Sequence, residues 1–203
     1  MFTGLITELG IVKEIKSGET SAILTISAPE SVRGLSLGES IAVNGTCLSA
    51  TSITGDCFTA DVMSQTLSLT SLAQLEVGSP VNLELAAKLD MRMGGHIVQG
   101  HIDGTGTIVQ LRPGDKWAQF DIKAPAHLLK YVVPQGSITL DGVSLTVGSI
   151  DDATEIITVW LIPETLARTN LSSKKPGDFI NIEVDVLAKY VERLLSKGAI
   201  DGR

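Results

Sequence analysis

The segment from Gly38 to Ile53 (GESIAVNGTCLSATSI) recurs further along the chain as Gln135 to Ile150 (QGSITLDGVSLTVGSI). At this offset of 97 residues, six positions carry identical residues in the two segments. Ordinary residue frequencies would give roughly one identity over such a length. The two segments therefore come from a duplication, which sets the domain organisation of the chain.

Two further pairs of segments recur in the same order. Thr66 to Leu72 matches Thr165 to Leu171 at an offset of 99, with four identical residues in seven. Near the start of the chain, Thr3 to Ile6 falls on Gln99 to Ile102 at an offset of 96. The single residues Gly78, Asn82 and Glu84 return as Gly177, Asn181 and Glu183. A period near 97 is far longer than the roughly 20 to 50 residues of a solenoid or propeller repeat, so each copy is predicted to be a domain with its own core.

The composition is that of folded domains and argues against several kinds of partner. The 203 residues are 43% hydrophobic and 19% charged, as in globular proteins. A net charge of −7 removes the positive field that non-specific nucleic-acid binding requires, so no nucleic acid partner is expected. The sequence has no apolar run of roughly 18 residues that could span a membrane, and Met1 to Gly4 lacks the basic start of a secretory signal. We therefore expect a cytoplasmic protein with no membrane partner, in which Cys47 and Cys57 are reduced thiols.

Short β-branched runs separated by Gly, Asp and Asn predict a mainly-β fold. Evenly spaced short strands are typical of a small antiparallel barrel or sandwich. In the first copy the predicted strands are Ile11 to Ile15, Ala22 to Ser27, Ser40 to Val43, Cys47 to Ile53, Cys57 to Val62 and Pro80 to Ala86. Asn44-Gly45 and Asp141-Gly142 are predicted type I′ hairpin turns, because these turns need a positive φ at both central residues.

Three segments have helical patterns. Met63 to Leu72 and Pro163 to Leu171 are predicted to be short helices, the second with proline in its first turn. Leu187 to Lys197 carries apolar residues at helical spacing and is followed by Gly198, a predicted C-cap. This last helix has no counterpart in the first copy. It either packs on its own barrel or pairs with the same helix of neighbouring subunits, and the second interpretation is favoured.

His96 and His101 in GGHIVQGHIDG are the histidines that lie close together in sequence. Neither a cysteine nor an HExxH motif accompanies them, so no metal site is predicted. A spacing of five would send the two rings to opposite faces of a strand, so one histidine is expected to face a site while the other packs. The glycines between Gly94 and Gly106 fit neither a Walker A loop nor a strand-GxGxxG-helix unit, which favours turns over a phosphate site.

The two copies differ at small polar positions. The matched pairs are Cys47 and Ser144, Ser49 and Thr146, Asn44 and Asp141, Leu5 and His101, and Gln65 and Glu164. One interpretation is neutral drift on solvated loops. The other is that each copy keeps a pocket for a similar ligand and that the two pockets have taken different tasks.

Five segments carry a family resemblance. They are Met1 to Ile6 (MFTGLI), Val43 to Ser49 (VNGTCLS), Gly94 to Ile102 (GGHIVQGHI), Asp141 to Val147 (DGVSLTV) and Leu161 to Leu166 (LIPETL). Together they resemble the riboflavin synthase alpha chain family over essentially residues 1 to 196. The resemblance implies two similar six-stranded antiparallel Greek-key barrels, residues 1–96 and 97–186. A C-terminal α-helix and tail, residues 187–203, would then join three subunits into a homotrimer.

The resemblance also implies an activity that needs no cofactor. It is a transferase reaction, the dismutation of two 6,7-dimethyl-8-ribityllumazine molecules, in which one donates a four-carbon unit to the other. The products are riboflavin and 5-amino-6-ribitylamino-pyrimidinedione, which makes this the last step of riboflavin biosynthesis. In this family the active site forms between the N-terminal barrel of one subunit and the C-terminal barrel of its neighbour, and lumazine synthase is a candidate partner.

Substrate-binding residues carry over from the same resemblance. In the first copy they are Gly4, Leu5, Ile6, Cys47, Leu48, Ser49, Asp61, Val62, Met63, Ser64, Gln65 and Thr66. In the second copy they are Gly100, His101, Ile102, Gln135, Ser144, Leu145, Thr146, Trp160, Leu161, Ile162, Pro163, Glu164 and Thr165. Backbone groups at strand ends suit the uracil-like edge of a pteridine, while hydroxyl and amide side chains can bind the ribityl chain.

The reaction needs a proton to leave the lumazine 7-methyl group. Loss of this proton leaves a carbanion that is delocalised into the ring. The positioning of two rings can therefore supply much of the reduction in the activation barrier. The predicted catalytic residues are His101, Ser144, Thr146, Cys47, Asp141 and Asp185. His101 is the predicted proton shuttle, with Ser144 and Thr146 as its relay. Cys47 has a supporting role, and Asp141 or Asp185 would polarise neighbouring hydroxyls.

One position departs from the family pattern. Gln135 stands where the family usually has lysine, so ligand contact there is still expected but a positive charge is missing. The nearby Lys130 is a candidate substitute. An alternative function is therefore a non-enzymatic lumazine- or flavin-binding protein, similar to the luminescence antenna proteins related to this family.

Overall fold

A computed structural model describes residues 1–198 of the chain, which form two closed β-barrels in succession. The first barrel consists of β1 (Glu8–Ser17), β2 (Ser21–Ser27), β3 (Ser40–Val43), β4 (Thr46–Thr54), β5 (Cys57–Met63) and β6 (Pro80–Leu85). The second consists of β7 (Gly104–Arg112), β8 (Ala118–Lys123), β9 (Ser137–Leu140), β10 (Val143–Asp151), β11 (Ile156–Leu161) and β12 (Phe179–Val184). The order around the first barrel is β1-β2-β5-β4-β3-β6, and the second repeats it as β7-β8-β11-β10-β9-β12. The predicted pair of six-stranded antiparallel barrels is confirmed.

The four helices of the described chain are short except for the last. They are α1 (Ser64–Leu69), α2 (Ala126–Leu129), α3 (Pro163–Arg168) and α4 (Val186–Gly198). Single 3₁₀ turns cover Ser31–Arg33, Ser71–Gln74 and Asn170–Ser173.

The barrels close because apolar side chains alternate along their strands and because each barrel bends at repeated bulges. Leu24, Ile26 and Phe58 are fully buried in the first barrel, and Ile122 and Ile157 are fully buried in the second. Bulges occur in β1 and β7 and again in β4 and β10, at matched positions of the two copies. Bulges increase local twist and bend a strand, which is what closure of a six-stranded sheet demands.

Both predicted hairpin turns are confirmed. Asn44 and Gly45 join β3 to β4 with φ values of 46° and 78°. Asp141 and Gly142 join β9 to β10 with φ values of 45° and 82°. Two successive positive φ angles are the mark of a type I′ turn, for which Asn-Gly and Asp-Gly are the preferred pairs.

The predicted helices from Met63 to Leu72 and from Pro163 to Leu171 are wrong in extent. Each is divided in two by a threonine with an extended backbone, Thr70 in the first copy and Thr169 in the second. Thr70 Oγ1 donates to the carbonyl of Thr66 and accepts from the N–H of Leu72. A side chain that bonds its neighbouring backbone in this way ends one helix and starts the next turn.

Helix α4 begins one residue before its predicted start and includes Gly198, the predicted C-cap. Asp185 caps its first turn, because Asp185 Oδ1 accepts the N–H of Leu187 at 2.9 Å. Lys189 Nζ pairs with Asp103 at 2.9 Å, and Glu192 accepts hydrogen bonds from Lys130 and Tyr131. The predicted tail beyond Gly198 lies outside the described residues.

The barrels dock through a buried polar cluster that follows the duplication. Asn82 Nδ2 donates to the carbonyl of Asp141 at 2.9 Å. At the matched position Asn181 Nδ2 donates to the carbonyl of Asn44 at 2.8 Å. Asn170 lies between them, and its amide bonds Asn82, Asn44 and Asp141. Buried amides that lost these partners would be costly, so the cluster fixes the relative position of the barrels.

Candidate active site

The segments that lead into the two barrels meet at the boundary between them. The N–H of Phe2 donates to the carbonyl of Val98 at 2.7 Å, and the N–H of Val98 returns a bond to Phe2 at 3.1 Å. Both side chains are 1% exposed. This short antiparallel bridge holds residues 2–6 beside residues 96–102.

Beyond the bridge each lead-in segment lies on the opposite barrel. The carbonyl of Gly4 accepts the N–H of Ser144 on β10 at 2.8 Å. The carbonyl of Gly100 accepts the N–H of Cys47 on β4 at 2.9 Å. The contacts therefore pair Gly4 with Ser144 and Gly100 with Cys47. A grouping of the predicted site residues by copy, which puts Gly4 with Cys47 and Gly100 with Ser144, is wrong. The Phe2–Val98 bridge directs each segment to the hairpin of the other barrel. This contact joins distant parts of the chain, so local sequence patterns do not predict it.

One pocket, here called the Ser144 pocket, lies where the first lead-in segment covers the second barrel. Its volume is about 400 Å³. Its lining residues are Gly4, Leu5, Ile6, Val143, Ser144, Glu164, Thr165, Arg168 and Thr169. The pocket thus combines a short stretch of N-terminal backbone with one face of helix α3.

A second pocket, here called the Cys47 pocket, occupies the equivalent place on the first barrel. Its volume is about 180 Å³. Its lining residues are Thr46, Cys47, Thr66, Leu69, Thr70, Gly100, His101 and Ile102. Matched positions of the duplication line the two pockets, with Ser144 in place of Cys47, Leu5 in place of His101 and Arg168 in place of Leu69.

Close approach of backbone explains the glycines at positions 4 and 100. Gly4 has a φ of +77° and Gly100 a φ of +81°, a region that other residues rarely adopt. A Cβ atom on Gly4 would lie 2.5 Å from Cβ of Ser144, and one on Gly100 would lie 2.6 Å from Cβ of Cys47. Only glycine lets the lead-in segment lie this close to the polar side chain of the pocket.

Ser144 is hydrogen-bonded to a histidine, but to His96. His96 Nδ1 and Ser144 Oγ are 2.7 Å apart, and His96 Nε2 lies 3.2 Å from Thr139 Oγ1. Burial lowers the pKa of His96, and the negative charge of Asp185 opposes that shift. The imidazole is therefore neutral at neutral pH. In the tautomer whose Nδ1 accepts from the Ser144 hydroxyl and whose Nε2 donates to Thr139, the Ser144 oxygen gains negative charge.

His101 lies in the other pocket, exposed, with Cys47. Within one chain His101 and Ser144 thus belong to different pockets, so the predicted relay of His101 with Ser144 and Thr146 requires two subunits and stays a prediction. We expected one histidine to face a site and the other to pack: His101 lines the Cys47 pocket, and the half-buried His96 is not a lining residue but contacts Ser144. His96 was missed because a spacing rule for one strand was applied to a segment that crosses between two barrels.

The remaining predicted residues fall into separate groups. Leu48, Val62 and Leu161 point into the barrel cores, which leaves only their backbone groups to a ligand. Ser49, Asp61, Met63, Ser64, Gln65, Thr146, Trp160, Ile162 and Pro163 are exposed, Leu145 is partly buried, and none of them lines either pocket. Gln135 is exposed with a φ of 65°. Its backbone N–H bonds the carbonyl of Val147.

Neither predicted aspartate lines a pocket. Asp141 is 0% exposed, and its carboxylate binds the N–H of Asn181 at 2.8 Å and Lys174 Nζ at 2.9 Å. Its role is thus in docking the barrels, and the prediction that it polarises a hydroxyl is wrong. Asp185 caps helix α4 and acts on His96 only through its charge. Lys130, the candidate substitute for a lysine at position 135, pairs with Glu192 of α4.

Within residues 1–198 the side chains form no cluster of three or more His, Cys, Asp or Glu that could hold a metal ion. None of the helices in this part of the chain is long and apolar enough to cross a membrane.

Comparison with known proteins agrees with the duplicated barrels and the paired pockets. The family model described as the lumazine binding domain matches the chain twice, over residues 3–86 and 99–185. The chain belongs to this lumazine-binding family. Riboflavin synthase of Actinobacillus pleuropneumoniae is 47% identical over 201 residues, 99% of this chain and 93% of that protein. Riboflavin synthase of Mycobacterium tuberculosis is 48% identical over 197 residues, 96% of this chain and 98% of that protein. These relatives are enzymes of the transferase type.

A solved structure with the same architecture contains a lumazine. LumP complexed with 6,7-dimethyl-8-(1′-D-ribityl) lumazine is 27% identical to the chain and aligns with a TM-score of 0.83. The alignment covers 91% of this chain and 99% of that chain. LumP complexed with riboflavin aligns with a TM-score of 0.85.

Proposed function

We propose that this chain is a riboflavin synthase, which converts two 6,7-dimethyl-8-ribityllumazine molecules into riboflavin and 5-amino-6-ribitylamino-pyrimidinedione. The observation that carries the proposal is the pair of pockets at matched positions of a duplicated barrel, each with a different polar centre. A reaction between two copies of one substrate needs two related binding sites with unequal tasks. Identities of 47% and 48% to riboflavin synthases, over nearly the full chain, support the same activity.

The Ser144 pocket supplies the better-organised proton acceptor. His96 is neutral, and its ring is fixed on both sides by Ser144 and Thr139. It can take the Ser144 hydroxyl proton while Ser144 Oγ removes a proton from the bound lumazine or activates a water molecule. The methyl proton is already acidic, so a fixed neutral imidazole is sufficient for the task.

The Cys47 pocket supplies a thiol and an exposed imidazole. Cys47 is half-buried, and His101 is exposed on the same pocket wall. His101 can exchange protons with solvent, and the thiol can contact the ring that receives the four-carbon unit or support addition to it. The two pockets thus provide one internal proton relay and one solvent-connected relay.

We further propose a homotrimer built on helix α4, in which the Cys47 pocket of one subunit faces the Ser144 pocket of its neighbour. Leu187, Tyr190, Val191, Leu194 and Leu195 of α4 are 55 to 72% exposed. An apolar stripe of this kind is typical of a protein interface. Its other face is fixed by Lys189 and Glu192. A cytoplasmic location and a complex with lumazine synthase belong to the same proposal and rest on the family alone.

Incubation of the purified protein with 6,7-dimethyl-8-ribityllumazine as sole substrate tests the activity. We expect riboflavin to form, with one molecule produced for every two lumazines consumed, as followed by absorbance. Leu194→Asp should convert the trimer to smaller species in sedimentation and abolish turnover. Val77→Asp changes an equally exposed residue, 68% against 72% exposed, on the first barrel and should leave both unchanged. Activity in a monomeric Leu194→Asp variant would contradict the shared site.

The likeness to LumP supports a second candidate function, a protein that binds lumazine or riboflavin without turning it over. The observation in its favour is the TM-score of 0.83 to 0.85 to LumP bound to these ligands. The enzyme is favoured because sequence identity to LumP is 27%, well below the identity to the synthases. Stable bound lumazine without riboflavin formation would decide for the binding protein.

A further inference from the structure

Each barrel ends in a buried glutamate that holds the lead-in segment of its own copy. Glu84 on β6 is 3% exposed. Its Oε1 accepts the N–H and the hydroxyl of Thr3 at 2.7 and 2.8 Å, and its Oε2 accepts the N–H of Gly4 at 2.9 Å. The carboxylate therefore grips two successive residues of the segment.

The second copy repeats the arrangement. Glu183 on β12 is 1% exposed. Its Oε1 accepts the N–H of Gln99 at 2.7 Å and its Oε2 the N–H of Gly100 at 3.0 Å. Glutamine replaces threonine at the matched position, so the hydroxyl bond of the first copy is not repeated.

Each carboxylate is connected to a pocket through the glycine that it binds, because the carbonyl of that glycine makes one further hydrogen bond. Gly4 accepts the N–H of Ser144, and Gly100 accepts the N–H of Cys47. Glu84 is therefore linked to the Ser144 pocket on the second barrel, and Glu183 to the Cys47 pocket on the first. Only an ionised carboxylate presents acceptors on both oxygens toward two neighbouring N–H groups. Glutamine would place an amide donor against one of them.

We infer that Glu84 and Glu183 are positioning residues, each of which sets the geometry of the pocket on the opposite barrel. The inference rests on the proposed function and adds to it the residues that hold the two substrate sites in place. Neither glutamate touches a reacting atom. Each fixes a glycine carbonyl, and through it the backbone that carries Ser144 or Cys47.

Glu84→Gln and Glu183→Gln test the inference, and Glu8→Gln is the matched control. Glu8 also accepts two successive N–H groups, those of Glu30 and Ser31 at 3.0 and 2.7 Å, away from both pockets. We expect Glu84→Gln to shift the amide NMR signals of Gly4 and Ser144 and to leave the signal of Cys47 in place. Glu183→Gln should do the reverse, and Glu8→Gln should move neither group.

Riboflavin titrations and steady-state kinetics supply the functional readout. The unsubstituted chain should bind two riboflavin molecules, one per pocket. Glu84→Gln should weaken binding at the Ser144 pocket by about tenfold, as expected for one charge-assisted hydrogen bond. Glu183→Gln should weaken binding at the Cys47 pocket by a similar factor. The value of kcat/KM should fall by a similar factor with little change in melting temperature beyond that of Glu8→Gln. If Glu84→Gln does not fold, Thr3→Val removes one bond of the same set and should weaken the same site by a smaller factor.

Equal effects of the two variants on both pockets, or effects that Glu8→Gln reproduces, would overturn the inference. Failure of the proposed function is a separate result. An unsubstituted chain that makes no riboflavin would remove the activity, while the amide signals would still report whether each glutamate controls the opposite pocket.

Discussion

The Ser144 pocket and the Cys47 pocket share a scaffold and differ in their chemistry. Both are closed by a glycine carbonyl from the lead-in segment of the other copy and by one face of a short helix. At the first pocket a half-buried His96 is bonded to the serine, whereas in the second an exposed His101 lies in the same pocket as the cysteine. The comparison teaches that duplication preserved the backbone that forms a site and left its side chains free to diverge.

The rims of the pockets differ in the same way. Arg168 and Glu164 form an ion pair along α3 at the Ser144 pocket. The matched residues of the first copy are Leu69 and Gln65. Surface ion pairs contribute little stability, so this difference bears on the ligand and not on the fold. The Ser144 pocket therefore has a charged pair on its helix where the Cys47 pocket has none.

The largest expected effect comes from filling the close contact in either pocket. Gly4→Ala adds a Cβ atom 2.5 Å from that of Ser144, and Gly100→Ala adds one 2.6 Å from that of Cys47. We expect turnover to fall about 100-fold or more, because misplacement near 1 Å has this effect on positioned groups. Gly38→Ala is the control, with a φ of +79° but no atom within 4 Å. Its melting temperature should drop while its turnover per folded molecule stays unchanged.

The next effect separates the two histidines. His96→Gln should lower kcat by about 10- to 100-fold and flatten its pH dependence, since a positioned proton acceptor is lost. His101→Gln should lower kcat by about tenfold and leave Ser144 unaffected. Riboflavin titration of each variant identifies the pocket that weakens. Loss of the same site in both variants would contradict the assignment of one histidine to each pocket.

The third effect concerns stability. Asp141→Asn removes the charged partner of Lys174, whose side chain is only 15% exposed and keeps its bond to the carbonyl of Phe179. We expect the free energy of unfolding to fall by about 3 kcal/mol, as for a buried ion pair that loses one member. Turnover per folded molecule should change little. Denaturant unfolding and kinetics on the same sample measure both. A large loss of turnover at unchanged stability would return Asp141 to the catalytic residues.

The smallest expected effect is on the pH dependence of stability. The pKa of His96 is lowered from 6.5 in the folded protein, so the unfolded chain binds more protons on lowering the pH. The contribution of His96 to stability is thus present above about pH 6.5 and is lost as the pH falls through the folded-state pKa. His96→Gln should reduce the decline in melting temperature between pH 7 and pH 5.

The features that the sequence predicted correctly are local or repeated. Asn44-Gly45 and Asp141-Gly142 determine their own turns, because few residues accept two positive φ angles. The duplication predicted two domains of similar architecture, and the family resemblance predicted that each is a six-stranded barrel. Alternating apolar residues placed most strands of the first copy within a residue or two of their observed ends, although β1 starts three residues earlier than its predicted start.

The features that it did not predict depend on distant parts of the chain. Phe2 pairs with Val98 across the whole length of the first barrel, and that pairing places each lead-in segment on the other barrel. The same pairing of residues 2–6 with residues 96–102 brings His96 to Ser144. The two residues are distant in sequence, so a search of the segment around Ser144 cannot find His96. Asp141 looked like a site residue because it differs from Asn44, yet the difference accompanies Lys174 in place of Leu75. Divergence between copies can thus reflect packing as well as chemistry.

The crossing of the lead-in segments has a consequence for how the halves could exist apart. Each half gives an arm to the other and receives one in return, the same reciprocal exchange that defines a domain-swapped dimer. A half separated between β6 and β7 would carry an arm with no barrel to cover and a hairpin with no arm upon it. Two such halves would complete each other only as a pair, so this protein resembles a swapped dimer whose subunits happen to share one chain.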